Sequence, residues 1–158
     1  MKEFTEQFFD LLLELDENWK VKTVKADYKE KEVEIHISYI GSKAECPATY
    51  ELCNIYDHAP SRRWRHLDLL DFKTYLVCRL PRVKNKEDKV VTVIPPWGSK
   101  STRYTNKFEI RVIDMLKATE NQTRAASLMN CSFNQVNRIM HRAVQRGLNR
   151  RPKDFGFT

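Results

Sequence analysis

From Phe133 to Arg151 the chain carries no acidic residue, and its polar side chains there are mostly amides and guanidinium groups. At helical spacing, Ser132, Asn134, Gln135, Asn137, Arg138, His141 and Arg142 share an outer face. Val136, Ile139, Met140, Ala143 and Val144 share the inner one. Asn and Gln match the hydrogen-bonding edge of adenine and Arg that of guanine, which is the chemistry of base reading in a major groove. Arg142, Arg146, Arg150 and Arg151 add charges suited to phosphate oxygens. Surface helices that merely face water usually mix Glu with Lys; this one is wholly cationic and amide-bearing. The expected DNA-binding set is therefore Ser132, Asn134, Gln135, Asn137, Arg138, His141, Arg142, Arg146 and Arg150.

Those side chains need a helix held at a defined angle. Just upstream, Ala125, Ala126 and Met129 form the apolar face of a short helix, and Asn130-Cys131-Ser132 makes the turn. Asn is second only to Gly in accepting a left-handed backbone. Ser132 is a good N-cap for the helix that follows. The pattern predicts a helix-turn-helix whose second helix enters the major groove. Cys131 falls on the inner side of the turn, as a core residue. Phe108, Val112, Met115 and Leu116 form the stripe of a further helix before the pair.

The first two thirds of the chain read differently. Phe4, Phe8, Leu11, Leu12 and Leu15 recur at helical spacing, predicting a short amphipathic helix over residues 3–15. In KEVEIHISYI the period changes to two, with Val33, Ile35, Ile37 and Tyr39 on one face of an antiparallel strand. His36 falls on the polar face, as solvated surface. WKVKTVKADY is its hairpin partner, across DYKEKE. Gly41 to Ser61 is irregular. RRWRHLDLLDFKTYLVCRLPRV predicts two strands bending near Asp71, and KVVTVIPPW a further strand stopped by two prolines. Pro95 to Thr105 has the small and polar character of a linker. The expected fold is α+β: a small antiparallel β module with an N-terminal helix, followed by an all-helical helix-turn-helix domain. The expected boundaries are 1–97 for the module, 98–105 for the linker, 106–151 for the helical domain and 152–158 for a tail.

Charge sharpens the partner. Residues 1–60 hold 7 Lys and Arg against 13 Asp and Glu, and the remainder hold 21 against 8. A net +13 confined to one segment points to a polyanion, with nucleic acid ahead of a membrane surface. No run of about 18 apolar residues exists, which excludes a membrane-spanning helix. The acidic, amphipathic N-terminus argues against a secretory signal and for an intracellular, cytoplasmic chain. The 4 cysteines are irregularly spaced, so a disulfide framework is not expected. Chemistry is not expected either. Asp68 and Asp71 lie in the β module and Glu109 and Asp114 on a helix, with nothing to mark them as metal ligands. With only 4 glycines there is no phosphate-cradling loop. The chain has no assignable catalytic residue, and no cofactor is expected.

ECPATYELCNIYDH, then RRWRHLDLLDFKTYLVCRLPRV, then RYTNKFEI and the helices ending in RAVQRGLNRR resemble, in that order, the amino-terminal region of ISL-three family insertion-sequence transposases. The resemblance covers about residues 40–151. It implies a zinc-finger-like β module followed by a helix-turn-helix that binds the element's terminal inverted repeats. The family's catalytic domain, with an RNase H-like fold and acidic metal ligands, would begin where this chain stops. The resemblance also implies two ligand pairs for a tetrahedral zinc. Cys46-Pro47 matches the first position, but Thr49 stands where the partner thiol belongs, and KNKEDK after Pro81-Arg82-Val83 holds no Cys or His. Cys46, Cys53, His58 and Cys78 are a substitute set, against which Cys78 sits mid-strand with a core reading. No metal is therefore expected, and KNKEDK reads as a hairpin tip. Trp64 reads as a core aromatic, while Arg62, Arg63 and Arg65 beside it make a secondary phosphate-binding stripe. The expected partners are double-stranded DNA, no membrane, a second copy of the chain as a homodimer, and a C-terminal catalytic domain beyond Thr158. Two alternatives remain open: a stand-alone transcriptional regulator derived from a transposase, and a protein-interaction module.

Overall fold

The structure, a computed structural model, describes residues 2–149. The chain forms two compact units, one up to Lys107 and one from Phe108.

In the first unit, α1 (Lys2–Leu12) turns Phe9 toward the strands, with Leu13 and Leu15 after it. Asp10 ties the helix down, since its carboxylate accepts the Val21 N–H at 2.7 Å. β1 (Trp19–Asp27) and β2 (Glu32–Tyr39) pair antiparallel through a turn in which Asp27 accepts the N–H groups of Lys29 and Glu30. Val33, Ile35 and Ile37 on β2 are buried and alternate with more exposed neighbours, as the period of two requires.

The segment that reads as irregular contains β3 (Lys43–Glu45) and β4 (Leu52–His58). Neither has a legible pattern: β3 is three residues long, and β4 buries Cys53 while Leu52 and Tyr56 face solvent. β5 (Arg62–Leu69) and β6 (Phe72–Cys78) form a hairpin whose tip holds Leu70 at φ 57°. β7 (Pro81–Lys84) and β8 (Val90–Thr92) form another.

The chain deals its hairpins alternately into two four-stranded sheets, ordered β1-β2-β6-β5 and β3-β4-β7-β8. Because β3 and β4 leave for the second sheet, β6 returns beside β2 in the same direction, placing Ile35 opposite Leu76 in a parallel pair. The expected fold is corrected here. In place of one small antiparallel module, the described residues form, in chain order, an N-terminal helix, eight strands in two sheets, one of them mixed, and three helices. Those three helices do not by themselves establish the all-helical helix-turn-helix domain that was expected.

Both sheets contribute to one apolar core. Trp97 stands edge-on to Trp19 and to Trp64, with ring centroids 5.2 and 5.4 Å apart. Trp64 is fully buried and donates its indole N–H to the Ser99 carbonyl at 3.0 Å, so it is unavailable for stacking on a base. Residues 98–105, which read as a linker, lie along β5. Arg65 N–H donates to the Arg103 carbonyl at 2.8 Å, and Thr105 N–H to the Arg65 carbonyl at 2.9 Å. Polar side chains hide this pairing from the sequence because the backbone makes it. Among the described residues, no helix is long and apolar enough to cross a membrane.

The second unit contains α2 (Asn106–Thr119) from Phe108 on, α3 (Gln122–Leu128) and α4 (Phe133–Asn149). Phe108, Val112, Ala125, Ala126, Met129, Val136 and Ile139 are buried. Asn121 caps α3 by accepting the Arg124 N–H.

His66, on β5, places Nδ1 2.8 Å from Thr105 Oγ1. Burial, and next the Lys107 ammonium, push its pKa down to about 4. The unfolded chain therefore takes up a proton near the usual 6.5 that the folded chain refuses, so stability should rise from pH 5 to pH 7. His66→Gln should flatten that rise, worth up to about 2 kcal/mol, in urea titrations at the two pH values. An unchanged slope would contradict the burial of a neutral imidazole.

Candidate nucleic-acid interface

The turn between α3 and α4 follows from local chemistry. Asn130 takes φ 53°, the left-handed conformation that Asn tolerates. Ser132 Oγ accepts the Gln135 N–H at 3.1 Å, and Gln135 Oε1 accepts the Ser132 N–H at 2.9 Å. This reciprocal capping box fixes where α4 starts. It also engages Ser132 and Gln135, two of the side chains expected to read bases, as acceptors of backbone N–H groups. Asn134, Arg138 and His141 are exposed and Asn137 half-buried, all along one stripe. Among the described residues, neither Asn134 nor Arg138 has a hydrogen-bond or ion-pair partner. On the opposite face Val136 and Ile139 are fully buried, while Val144, expected inside, is 55% exposed.

The cations further along α4 are differently placed. Glu109, on α2, is 4% exposed. Its carboxylate accepts from Arg142 Nη2 and lies 3.4 Å from Arg146 Nη1. A buried carboxylate is costly unless it is paired and hydrogen-bonded, so these arginines are held to the protein itself. Both are expected at DNA from the sequence, and their pairing with Glu109 is not among its expectations. The signal was present: Glu109 lies one residue after Phe108 and three before Val112, inside an apolar stripe. Arg150 lies outside the described residues.

The stripe on β5 separates into three cases. Arg65, expected as a phosphate contact, is 5% exposed, with Nη2 2.5 Å from Asp68 Oδ1, so its charge is answered within the protein. Arg63 lays its guanidinium over the Tyr75 ring at 3.5 Å and lies 3.9 Å from the Glu32 and Glu34 carboxylates. Arg62 alone of the three keeps a charge without a carboxylate, among the described residues.

Two turns of the second sheet meet where a metal would be sought. In one, Tyr50 N–H donates to the Cys46 carbonyl and Cys46 N–H to the Glu51 carbonyl, both at 2.8 Å, with Tyr50 at φ 60°. In the other, Asn85 and Lys89 close a tip with Asp88 at φ 59°. Asn85 Oδ1 accepts the N–H groups of Glu87 and Lys89, at 3.0 and 3.1 Å, which leaves its Nδ2 to donate to Cys46 Sγ at 3.7 Å. Glu51 Oε1 accepts Lys86 N–H at 2.8 Å and the Thr49 hydroxyl at 3.0 Å, adding a second tie between the turns. The Lys86 N–H chiefly holds the Glu51 carboxyl below its ordinary pKa.

These donors do not fit tetrahedral zinc. Cys46 offers one thiol, which already receives an amide N–H from Asn85, and hydrogen bonding led by the Thr49 hydroxyl lowers its pKa; Thr49 itself brings no thiol or imidazole. Cys78 is buried mid-strand, and burial pushes its thiol pKa up to about 12. Burial raises the Cys53 thiol as well. Among the described residues no three His, Cys, Asp or Glu side chains gather to hold a metal, the set of Cys46, Cys53, His58 and Cys78 included.

Residues 42–87 match the family model of the zinc-finger of transposase IS204/IS1001/IS1096/IS1165. No curated protein and no solved structure matches the chain. The match runs from β3 to the Asn85 tip and supports a transposase amino-terminal region of the ISL-three kind for that segment. It includes both turns, and it stops short of the helices.

Asn85→Ala removes three hydrogen bonds and orphans two backbone donors, so it should destabilise the protein by about 1–3 kcal/mol in chemical denaturation. A chelator should leave the wild-type melting temperature unchanged. Stoichiometric zinc in a native mass spectrum would contradict this account of the two turns.

Proposed function

We propose that this chain is the DNA-recognition region of a transposase and binds duplex DNA sequence-specifically, with α4 in the major groove. The terminal inverted repeats of its own element are the site that the family resemblance implies. The observation that carries the reading is the stripe of Asn134, Asn137, Arg138 and His141 on α4. Its members include two exposed side chains without a partner among the described residues, on a helix whose start is fixed by a capping box. Amide and guanidinium groups one turn apart can meet neighbouring base pairs. The transposase zinc-finger match at residues 42–87 supports the same class of partner. Arg142 and Arg146 serve the reading indirectly, by anchoring α4 to Glu109.

Replacing Asn134 or Arg138 with Ala should cost about 1–3 kcal/mol on the correct duplex and relax discrimination there, with the melting temperature unchanged. Arg142→Ala should instead lower stability by about 1–3 kcal/mol, because Glu109 keeps only its longer pair. Val136→Asp should unfold the unit by burying an unpaired charge. Titrations against specific and scrambled duplexes, beside thermal melts, separate these classes. If the Asn134 and Arg138 variants bind both duplexes as the wild type does, the base-reading role is wrong.

A further inference from the structure

A second charged surface lies in the first unit. Ser61, Arg62, Arg63, Lys100, Ser101 and Arg103 line much of an open cleft of about 690 Å³, and no acidic side chain lines it. Arg62 is pinned in place. Its Nη2 donates to the Thr102 carbonyl at 2.6 Å, and its guanidinium lies 5.3 Å from the centre of the Trp64 ring. Lys100 and Arg103 are exposed, and among the described residues none of Arg62, Lys100 and Arg103 forms an ion pair. Arg63 differs, because its charge is already answered by Glu32 and Glu34.

Three cations thus face one cleft with their charge uncompensated, beside the hydroxyls of Ser61 and Ser101. Arg62 and Arg103 bring like charges to one cleft whose lining holds no carboxylate, and burial, with the Arg103 charge second, lowers the Arg62 pKa. An anion relieves that crowding. The lining has no aromatic side chain on which a base could stack, since Trp64 and Tyr75 are covered by arginines. The cleft is also far larger than one phosphate needs.

We propose that Arg62, Lys100 and Arg103 hold the phosphodiester backbone of the bound DNA, adding affinity without reading sequence. This deepens the DNA-binding reading and rests on it. Residues 98–105 then have a role, since their backbone pairing with β5 brings Lys100 and Arg103 to Arg62.

The test uses the whole chain carrying Lys100→Gln and Arg103→Gln together, both at exposed positions that should leave the melting temperature unchanged. Affinity for the specific site and for an unrelated duplex should fall by the same factor. The slope of log affinity against log salt should shrink by about 2, near 0.9 for each phosphate that the protein no longer neutralises. An unchanged slope, with wild-type binding intact, overturns the cleft and leaves the α4 reading standing. Failure of the wild type to bind any duplex overturns both. Calorimetric titration with inorganic phosphate separates the two sources of the anion. Weak or no uptake supports the strand contact, whereas tight stoichiometric uptake that disappears in the double variant would make this a free-phosphate site.

Discussion

The Glu109 carboxylate decides what α4 can offer a partner. It is buried on α2, so it must be answered by positive charge, and Arg142 and Arg146 are the groups that answer it. Val136 and Ile139 bury one face of α4 and these two arginines turn to Glu109, so the stripe through Asn134, Arg138 and His141 is left to solvent. Of the nine polar candidates, the eight within the described residues therefore fall into two groups. Ser132, Gln135, Arg142 and Arg146 place the helix, and the stripe between them is what remains to touch something else.

The first unit obeys a comparable rule, in which polar groups are satisfied across long stretches of sequence. The two turns around Cys46 and Asn85 are joined by an amide-to-sulfur contact and by Glu51, over 39 and 35 residues. Each hydrogen bond of this kind contributes about 1 kcal/mol, far less than a structural metal, so the surrounding core carries more of the work. The Trp19, Trp97 and Trp64 cluster, drawing side chains from three distant segments, is what that core supplies. The match of residues 42–87 to a transposase zinc-finger family sits beside a donor set unsuited to zinc, and the hydrogen-bonded turns reconcile the two.

Local signals were legible and long-range ones were not. The period of two in Val33, Ile35 and Ile37, the hairpin around Asp71, the left-handed Asn130 and the Ser132 cap each depend on residues a few positions apart. The three-residue β3, the parallel register of Ile35 and Leu76, and the pairing of residues 98–105 with β5 do not. Their partners lie far off in sequence and meet through the backbone, which leaves no trace in residue type. The fold class was misjudged for that reason. Among site residues, Glu109 could have been found as a carboxylate inside an apolar stripe. Arg65, by contrast, looks like its neighbours Arg62 and Arg63, and only its burial beside Asp68 tells them apart.

The claim that α4 reads base edges in a major groove is tested most directly by chemical interference on the bound duplex. Methylation of guanine N7 blocks the acceptor that an arginine needs in the major groove, and ethylation of phosphates reports backbone contacts separately. N7 methylation should abolish binding at one or two neighbouring guanines, and Arg138→Ala should remove the sensitivity at one of them. Indifference to N7 methylation throughout a site that is still sensitive to phosphate ethylation would contradict the account, because α4 would then be holding DNA without reading it.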